Sequence, residues 1–155
     1  MLIRPTTPSD SEPLLAMLEA SGQFDREGLL HVQDTLDTYF SGKSDEIWFS
    51  ADQEGLVGVA YCAPEVMTNS VWNLLMLWIC PSRQRQGIGQ ALIDEVEKEL
   101  RNKQARLLLV ETSSLDDFSA ARAFYGKQGF INEARIRHYY APNEDKVIFT
   151  KALQA

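Results

Sequence analysis

The sequence predicts a single α/β domain, of the α+β kind, in which helices flank one central mixed β-sheet. The chain has 155 residues, close to the roughly 150 residues of an ordinary domain. No repeat or Gly/Ser/Pro-rich linker divides it, so the domain is expected to span residues 1–155. Short runs of branched and aromatic residues alternate with stretches of helical periodicity in the order βααββ–β–loop–α–β–α–ββ, which favours this layout.

The N-terminal segment is predicted to form one short strand and two helices. Leu2 to Arg4 is the expected opening strand. Ser9 or Asp10 is expected to cap a helix over roughly 11–20, since short polar side chains are favoured there. A second helix is predicted over about 25–40, because apolar residues recur there at spacings of three or four.

The pattern then changes to that of β-strands. Ile47–Ala51 and Leu56–Cys62 are short runs rich in branched and aromatic residues, and the polar segment Asp52–Gly55 between them indicates a hairpin. Val71–Cys80 is the next predicted strand, apolar at nearly every position from Leu74 onward. Continuous apolarity indicates that both faces are covered, and therefore predicts the central strand.

The C-terminal half is predicted to alternate helices with strands. Four apolar residues repeat every four positions and define the buried face of an amphipathic helix: Ile88, Leu92, Val96 and Leu100. The later predicted elements are a strand at Arg106–Glu111, a helix at Ala120–Lys127, and a closing pair of strands at Phe130–Tyr140 and Lys146–Leu153.

Composition argues against several classes of partner. Fifteen Lys and Arg against 22 Asp and Glu give a net charge of −7, whereas proteins that bind nucleic acid usually present a basic surface. We interpret the acidity mainly as solubility, with attraction of a cationic amine as the alternative. The apolar run Leu74–Cys80 is far shorter than the ~20 residues of a membrane helix, and the N-terminus turns polar too early for a signal peptide.

The cysteines and histidines indicate a reducing compartment without a metal centre. Cys62 and Cys80 each lie in an apolar stretch and are expected to be reduced thiols in the cytoplasm. His31 and His138 lie far apart without ligand-like neighbours, so no metal site is expected.

The most informative segment is the loop Gln84-Arg85-Gln86-Gly87-Ile88-Gly89, which lies between the central strand and the amphipathic helix. Glycines let the backbone approach a ligand closely, and the first amides of a helix lack internal partners. The helix dipole, with Arg83 and Arg85 nearby, favours a phosphate or pyrophosphate there. The alternative is an ordinary connection in which glycine eases the turn.

Two known phosphate-binding motifs fit this loop poorly. A Walker loop requires Lys followed by Ser or Thr after its second glycine, but Gly89 is followed by Gln90 and Ala91. A dinucleotide-binding fingerprint requires Gly or Ala where Leu92 stands; of its features, only an acidic residue at the end of the next strand, Glu111, is present.

Two segments resemble the GCN5-related N-acetyltransferase (GNAT) superfamily. Gln84-x-x-Gly87-x-Gly89 is similar to its Arg/Gln-x-x-Gly-x-Gly/Ala signature, and Ala121-x-x-x-Tyr125-x-x-x-Gly129-Phe130 is similar to its Ala-x-x-x-Tyr-x-x-x-Gly-Phe helix. A weaker similarity links the first segment and Arg135–Tyr140 to the RimI-type protein N-terminal acetyltransferases. The resemblance extends along the whole chain and implies a sheet with one splayed strand pair.

The resemblance also implies acetyl-CoA as co-substrate, bound in a V-shaped opening beside the central strand. The pyrophosphate would lie on the amides of Gln84 through Gly89. The pantetheine arm would pair with the backbone of Leu77, Trp78 and Ile79. A backbone N–H there could also stabilise the thioester oxygen as it gains charge.

The resemblance assigns the general acid directly, whereas the general base has to be assigned to a residue outside the central strand. Tyr125 matches the general-acid tyrosine of the family, which protonates the leaving thiolate. The central strand has no carboxylate, so Glu111, at the end of the next strand, is expected to be the general base and to be partly desolvated. The alternative for Glu111 is a charge that faces solvent, and Glu65 is the reserve candidate.

Three features depart from the family pattern or leave alternatives open. Phe118 occupies the place of an asparagine that often contacts the cofactor, and the stretch Thr112–Asp117 is longer than in RimI-type chains. Both put the position of Glu111 in question. Trp78 is expected to be a core aromatic, with shaping of the acceptor pocket as the alternative.

The function implied is transfer of an acetyl group from acetyl-CoA to a primary amine by direct attack on the thioester. The alternative is a non-catalytic CoA-binding or sensor module of the same fold. The acceptor is expected to be a small-molecule or peptide amine, with no nucleic-acid or membrane partner. The closing strands could also mediate a homodimer.

Overall fold

The structure is a computed structural model that describes residues 1–154. Within these residues, seven strands and four α-helices follow one another in the predicted order. The elements are β1 (Leu2–Pro5), α1 (Ser11–Ala20), α2 (Arg26–Phe40), β2 (Ile47–Asp52), β3 (Leu56–Pro64), β4 (Val71–Ile79), α3 (Ile88–Asn102), β5 (Leu107–Ser113), α4 (Ser119–Lys127), β6 (Ile131–Ala141) and β7 (Glu144–Ala152).

The chain divides into two compact units. The first comprises Met1–Ala63 and Met76–Val96, and the second comprises Pro64–Leu75 and the chain from Glu97 onward. Strand β4 and helix α3 each contribute residues to both units.

The first unit contains an antiparallel β1-β2-β3 sheet and the helices α1 and α2. Its core forms because the apolar faces of both helices pack against residues of β2 and β3. The core side chains are all nearly inaccessible to solvent: Leu14, Leu18, Val32, Leu36, Trp48 and Val59. Trp48 and its register partner Tyr61 are stacked, with ring centroids 4.3 Å apart.

Asp10 precedes α1 as predicted, but its carboxylate serves another purpose than capping that helix. It accepts hydrogen bonds from the Arg4 guanidinium at 2.7 and 2.9 Å, and from the Thr7 backbone N–H at 2.8 Å. The hydrogen bond from Arg4 is the largest cause that lowers the pKa of Asp10 to about 2. The ion pair therefore ties β1 to the turn before α1.

The second unit contains a mixed sheet in the order β4-β5-β7-β6. β4 is parallel to β5, whereas β5 and β7 are antiparallel, as are β6 and β7. This confirms the predicted mixed sheet. In β5 the side chains of Leu108 and Val110 are buried, which explains the apolar run before Glu111.

The described pairing of β4 with β5 covers only the first part of β4. The register runs from Val71↔Leu107 to Leu74↔Val110, although β4 continues to Ile79 and β5 to Ser113. The expectation that the whole apolar run of β4 is buried was wrong. Trp72 to Leu74 are buried, but Leu75 is 52% exposed and the residues after it are only partly covered.

No helix within residues 1–154 is both long and apolar enough to span a membrane.

Candidate active site

The loop after β4 adopts a conformation that requires glycine. A short helical turn, Pro81–Arg83, leads into the loop, and α3 begins at Ile88. Gly87 has a φ of +82°, in the left-handed region that glycine enters without steric cost. A Cβ on Gly87 would meet no described atom within 4 Å. The backbone conformation therefore requires this glycine, and the space beside it is open.

The first turn of α3 can receive an anion. The Gly87 carbonyl accepts a hydrogen bond from the Ala91 N–H at 3.0 Å, which starts the helical ladder. The amides that precede Ala91 at a helix start have no intrahelical acceptor, and the helix dipole adds positive charge at this end. Ile88 and Gly89, both predicted to contact a pyrophosphate, lie in this turn. The local structure can therefore bind an anion as the sequence predicts.

Some polar side chains of the loop are held by hydrogen bonds within the protein, whereas others are exposed to solvent. Arg83 donates to the side-chain oxygen of Gln53 at 3.1 Å, so its guanidinium is already engaged. The Gln84 side chain reaches back to the Ile79 carbonyl at 3.5 Å. Arg85 and Gln86 are exposed, and Arg85 is the cation that this loop leaves open to solvent.

Gly58 on β3 is a residue whose importance the sequence interpretation missed. A Cβ at this position would lie 3.1 Å from Ile79 Cδ1 and 3.2 Å from both Ile88 Cγ2 and the Trp78 carbonyl oxygen. An added methyl group would therefore be tight here, and the end of β4 or the start of α3 would have to shift by a few tenths of an ångström to admit it. A glycine in the middle of a predicted strand is the signal that could have indicated this.

The three residues predicted to pair with the pantetheine arm lie at the end of β4. Leu77, Trp78 and Ile79 are all partly buried. Trp78 packs against the core of the first unit, which favours its interpretation as a core aromatic. Its indole Nε1 is buried and has no hydrogen-bond acceptor among the described residues.

Glu111 belongs to a cluster of polar side chains in the second unit. It lies in β5, two residues before the strand ends at Ser113, and its side chain is 26% exposed. Its Oε2 is 2.9 Å from Lys146 Nζ. Its Oε1 accepts a hydrogen bond from Asn73 Nδ2 at 3.3 Å, and the same nitrogen donates to Glu65 Oε1 at 2.8 Å. The predicted base and its reserve candidate therefore meet at one buried amide.

Lys146 is held between a carboxylate and an aromatic ring. Its side chain is 10% exposed, and its Nζ lies 3.7 Å from the centroid of the Tyr139 ring. Burial opposes the charge on the ammonium, but the hydrogen bonds and charges of Glu111 and Tyr139 outweigh it and raise the pKa of Lys146. Lys146 is therefore a cation at neutral pH and unsuited to accept a proton.

Asn73 and Lys146 were not identified from the sequence. Asn73 is the polar residue within the apolar central strand, and this interruption is the signal that could have identified it. Lys146 is the first residue of the predicted last strand, and no local pattern distinguishes it from other lysines.

Tyr125 lies on α4, and its side chain is buried among aromatic rings. The residue is 8% exposed, and its ring centroid lies 5.5 Å from that of Phe124, 5.8 Å from Phe130 and 5.9 Å from Phe149. Burial raises the pKa of Tyr125 to about 12. Its phenol is therefore protonated at neutral pH, as a proton donor must be.

The glycine and phenylalanine after Tyr125 have a structural role. Gly129 has a φ of +88°, and this left-handed residue ends α4 in the manner of a helix C-terminal cap. The chain then turns back so that the Phe130 N–H donates to the Tyr125 carbonyl at 3.1 Å. The predicted signature helix therefore packs Phe130 against Tyr125 and fixes the position of the phenol.

Tyr125 and Glu111 lie on opposite faces of the sheet. Side chains alternate along a strand, so Glu111 points away from the face of Val110. Val110 is the register partner of Phe149, whose ring contacts Tyr125. The structure therefore brings Glu111 together with Glu65, and it places Tyr125 on the other face.

The segment that was predicted to be unusually long is held by an arginine. Arg122 donates to the Ser113 carbonyl at 2.6 Å and to the Leu115 carbonyl at 2.9 Å. Phe118 ends a short helical turn just before α4. The stretch Thr112–Asp117 therefore runs from the end of β5, which holds Glu111, into the start of this turn.

No group of three or more His, Cys, Asp or Glu side chains in the described part of the chain is arranged to hold a metal ion.

Comparison with known sequences identifies related proteins. Residues 43–132 match the profile of the acetyltransferase (GNAT) domain. The [ribosomal protein bS18]-alanine N-acetyltransferase of Escherichia coli strain K12 is 33% identical over 97 residues, which cover 63% of this chain and 62% of that protein. The chain thus matches less than two thirds of the length of this relative.

Comparison with solved structures extends the similarity along the chain. A protein assigned to the GNAT family from Desulfovibrio desulfuricans has a TM-score of 0.90 and 26% identity, and the match covers 99% of both chains. An aminoglycoside 6′-N-acetyltransferase solved with coenzyme A has a TM-score of 0.84 and 19% identity over 100% of this chain and 98% of that one. At that identity the second match shows the fold alone.

Proposed function

The chain belongs to the acetyltransferase (GNAT) family, and we propose that it transfers an acetyl group from acetyl-CoA to a primary amine. The observation that carries this proposal is the position of Glu111. It directly follows Val110, the last β5 residue described in register with β4, so the carboxylate lies where the described pairing of the two strands ends. The apolar residues of β4 beyond this point are only partly covered by the protein, which leaves a strand available to a ligand.

The loop before α3 is proposed to bind the pyrophosphate of acetyl-CoA. The support is the open space beside Gly87 and the helix start at Ile88, since amides at a helix start favour phosphate groups. The exposed Arg85 adds a cation. The coenzyme A bound to the structurally similar aminoglycoside acetyltransferase is consistent with this ligand. Leu77, Trp78 and Ile79 are proposed to pair with the pantetheine arm.

Acetyl-CoA supplies the reactive thioester, and two side chains of this protein transfer protons, one as the general base and one as the general acid. Glu111 removes a proton from the acceptor ammonium, which frees the nitrogen lone pair for attack on the thioester carbonyl. As the C–N bond forms and the C–S bond breaks, Tyr125 donates its proton to the leaving sulfur.

The acceptor is proposed to be a small-molecule or peptide amine. The bS18-alanine acetyltransferase acts, by its name, on a ribosomal protein, and the structural neighbour acts on aminoglycosides. Both acceptor classes carry primary amines, and the carboxylates of Glu65 and Glu111 favour the approach of such a cation. Both cysteines are free thiols, which agrees with our placement of the reaction in the cytoplasm.

The test combines cofactor binding with release of the free CoA thiol over a panel of amines. Acetyl-CoA is expected to raise the melting temperature, and at least one amine is expected to release thiol. Tyr125→Phe and Glu111→Gln should each lower kcat by about 10²-fold or more, the scale of general acid–base catalysis, while the acetyl-CoA-induced shift in melting temperature persists. A thermal shift without turnover on any amine would instead support a CoA-binding module. No shift at millimolar acetyl-CoA would refute both.

A further inference from the structure

Each carboxylate oxygen of Glu111 has its own donor. Asn73 Nδ2 lies 3.3 Å from Oε1, and Lys146 Nζ lies 2.9 Å from Oε2. The two donors lie on the two strands that flank β5, Asn73 on β4 and Lys146 on β7, so the carboxylate is held from both sides. A carboxylate held at both oxygens cannot rotate about its last torsion without breaking one of these contacts.

The orientation of the Asn73 amide is fixed by its surroundings. Asn73 is 4% exposed, and its nitrogen faces two carboxylates, Glu65 at 2.8 Å and Glu111 at 3.3 Å. The reverse orientation would place the amide oxygen against both anions. Asn73 Oδ1 is buried and has no hydrogen-bond donor among the described residues, so the two carboxylates alone determine how this amide lies. A buried amide oxygen without a donor is costly for stability.

Lys146 is also restrained. The ring of Tyr139 lies 3.7 Å from its Nζ, a cation–π distance, and the Tyr139 ring is packed edge-on against Tyr140 at 5.0 Å. The ammonium therefore has a carboxylate on one side and an aromatic face on the other.

From these contacts we propose that Asn73 and Lys146 are positioning residues that hold the Glu111 carboxylate in one orientation for proton transfer. This inference rests on the proposed function, in which Glu111 is the base. Glu65 shares the Asn73 amide and adds a second negative charge beside Glu111, which favours an ammonium at this place. The titratable groups near Glu111 on the 65–70 loop, β6 and β7 are Glu65, which shares the Asn73 amide, Lys146, and the two tyrosines beside Lys146, Tyr139 and Tyr140.

The first test removes one of the two contacts and measures kcat. Lys146→Met leaves Glu111 Oε2 without its donor and should lower kcat by about 10-fold because the carboxylate is no longer held in one orientation, with an unchanged KM for acetyl-CoA. Lys146→Arg keeps a charged donor and should retain most of the wild-type kcat. If the methionine variant does not fold, Lys146→Gln replaces it, and melting temperatures report folding for each variant.

Lys151→Met is the matched control. Lys151 is a partly buried lysine on the same strand, but it bonds to Glu97 Oε2 at 2.9 Å and to the Gln128 carbonyl at 2.7 Å. Its removal should lower the melting temperature without lowering kcat. An equal loss of kcat in the Lys146 and Lys151 variants would overturn the proposal, since a general loss of stability or of positive charge would then explain both.

The second test removes the amide. Asn73→Leu, similar in size, should lower kcat by about 10- to 100-fold because Glu111 is no longer oriented, with an unchanged KM for acetyl-CoA. A folded Asn73→Leu enzyme with wild-type kcat would refute the role of Asn73. Two outcomes separate this inference from the proposed function. If Glu111→Gln keeps wild-type turnover, the proposed role of Glu111 as the base is refuted. If Glu111→Gln is inactive while the Lys146 and Asn73 variants match the wild type, only the positioning role is refuted.

Discussion

The phenol of Tyr125 is expected to stay protonated well beyond the pH at which a free tyrosine ionises. Burial raises its pKa to about 12, compared with about 10 for an exposed phenol. At pH 10 an exposed phenol is half ionised, whereas about 1% of Tyr125 would be. The difference of two units corresponds to about 3 kcal/mol in favour of the neutral phenol.

The same shift makes stability depend on pH. Because the pKa is higher in the folded state, the protein has this stabilisation in full below about pH 10 and loses it as the pH rises through about 12. A titration of tyrosinate absorbance measures the ionisation directly, as the difference between the wild type and Tyr125→Phe. The basic limb of the kcat–pH profile measures its effect on turnover.

A second variant tests the cause of the shift. Phe130 is 5% exposed and its ring packs edge-on against Tyr125. Phe130→Ala should admit water to the phenol and lower the pKa of Tyr125 by about one unit, so the tyrosinate transition and the basic limb should both move to lower pH. A wild-type Tyr125 that titrates near pH 10, or a Phe130→Ala variant whose titration is unchanged, would refute burial as the cause.

Three further outcomes are expected. Gly87→Ala places alanine at a φ of +82°, which should cost about 1–2 kcal/mol and raise the KM for acetyl-CoA. Gly126→Ala, in helix α4 with space for the added methyl, should instead raise stability by about 0.5–1 kcal/mol. Thermal unfolding measures the stability of the two variants and steady-state kinetics measures their KM for acetyl-CoA. The same change in stability and in KM in both variants would contradict this account. Because the pKa of Asp10 is lowered to about 2, about 2 kcal/mol of stability should be lost as the pH falls from about 4 through 2. Urea unfolding at several pH values should show this loss in the wild type, and a similar loss in Arg4→Met would exclude the ion pair as its source.

The parts of the site that the sequence predicts are those whose geometry is local. The φ of Gly87 and the start of α3 at Ile88 follow from neighbouring residues, and a glycine before a strongly amphipathic helix indicates both. The position of Tyr125 is also local, because Gly129 and Phe130 end its helix and pack against its ring. Order and spacing along the chain therefore suffice for these features.

The contacts that the sequence does not predict join distant residues. Asn73 and Glu111 are 38 positions apart, and their meeting depends on the register between two parallel strands. Lys146 reaches Glu111 from β7, which pairs with the other edge of β5. A slip of one residue in either register would turn these side chains to the opposite face, and no local pattern determines the register to that accuracy.

The lack of a carboxylate on β4 therefore does not argue against a catalytic base at this place. Asn73, buried in that strand, presents its amide nitrogen where Glu65 and Glu111 can both bind. A carboxylate at position 73 would face two others, and like charges at this distance disfavour ionisation of all three. An amide avoids this repulsion, and its nitrogen donates to both carboxylates instead. Asn73→Asp tests this step: it keeps the size and should lower turnover at neutral pH, with recovery as the pH rises, whereas wild-type turnover at every pH would show that the amide is unnecessary.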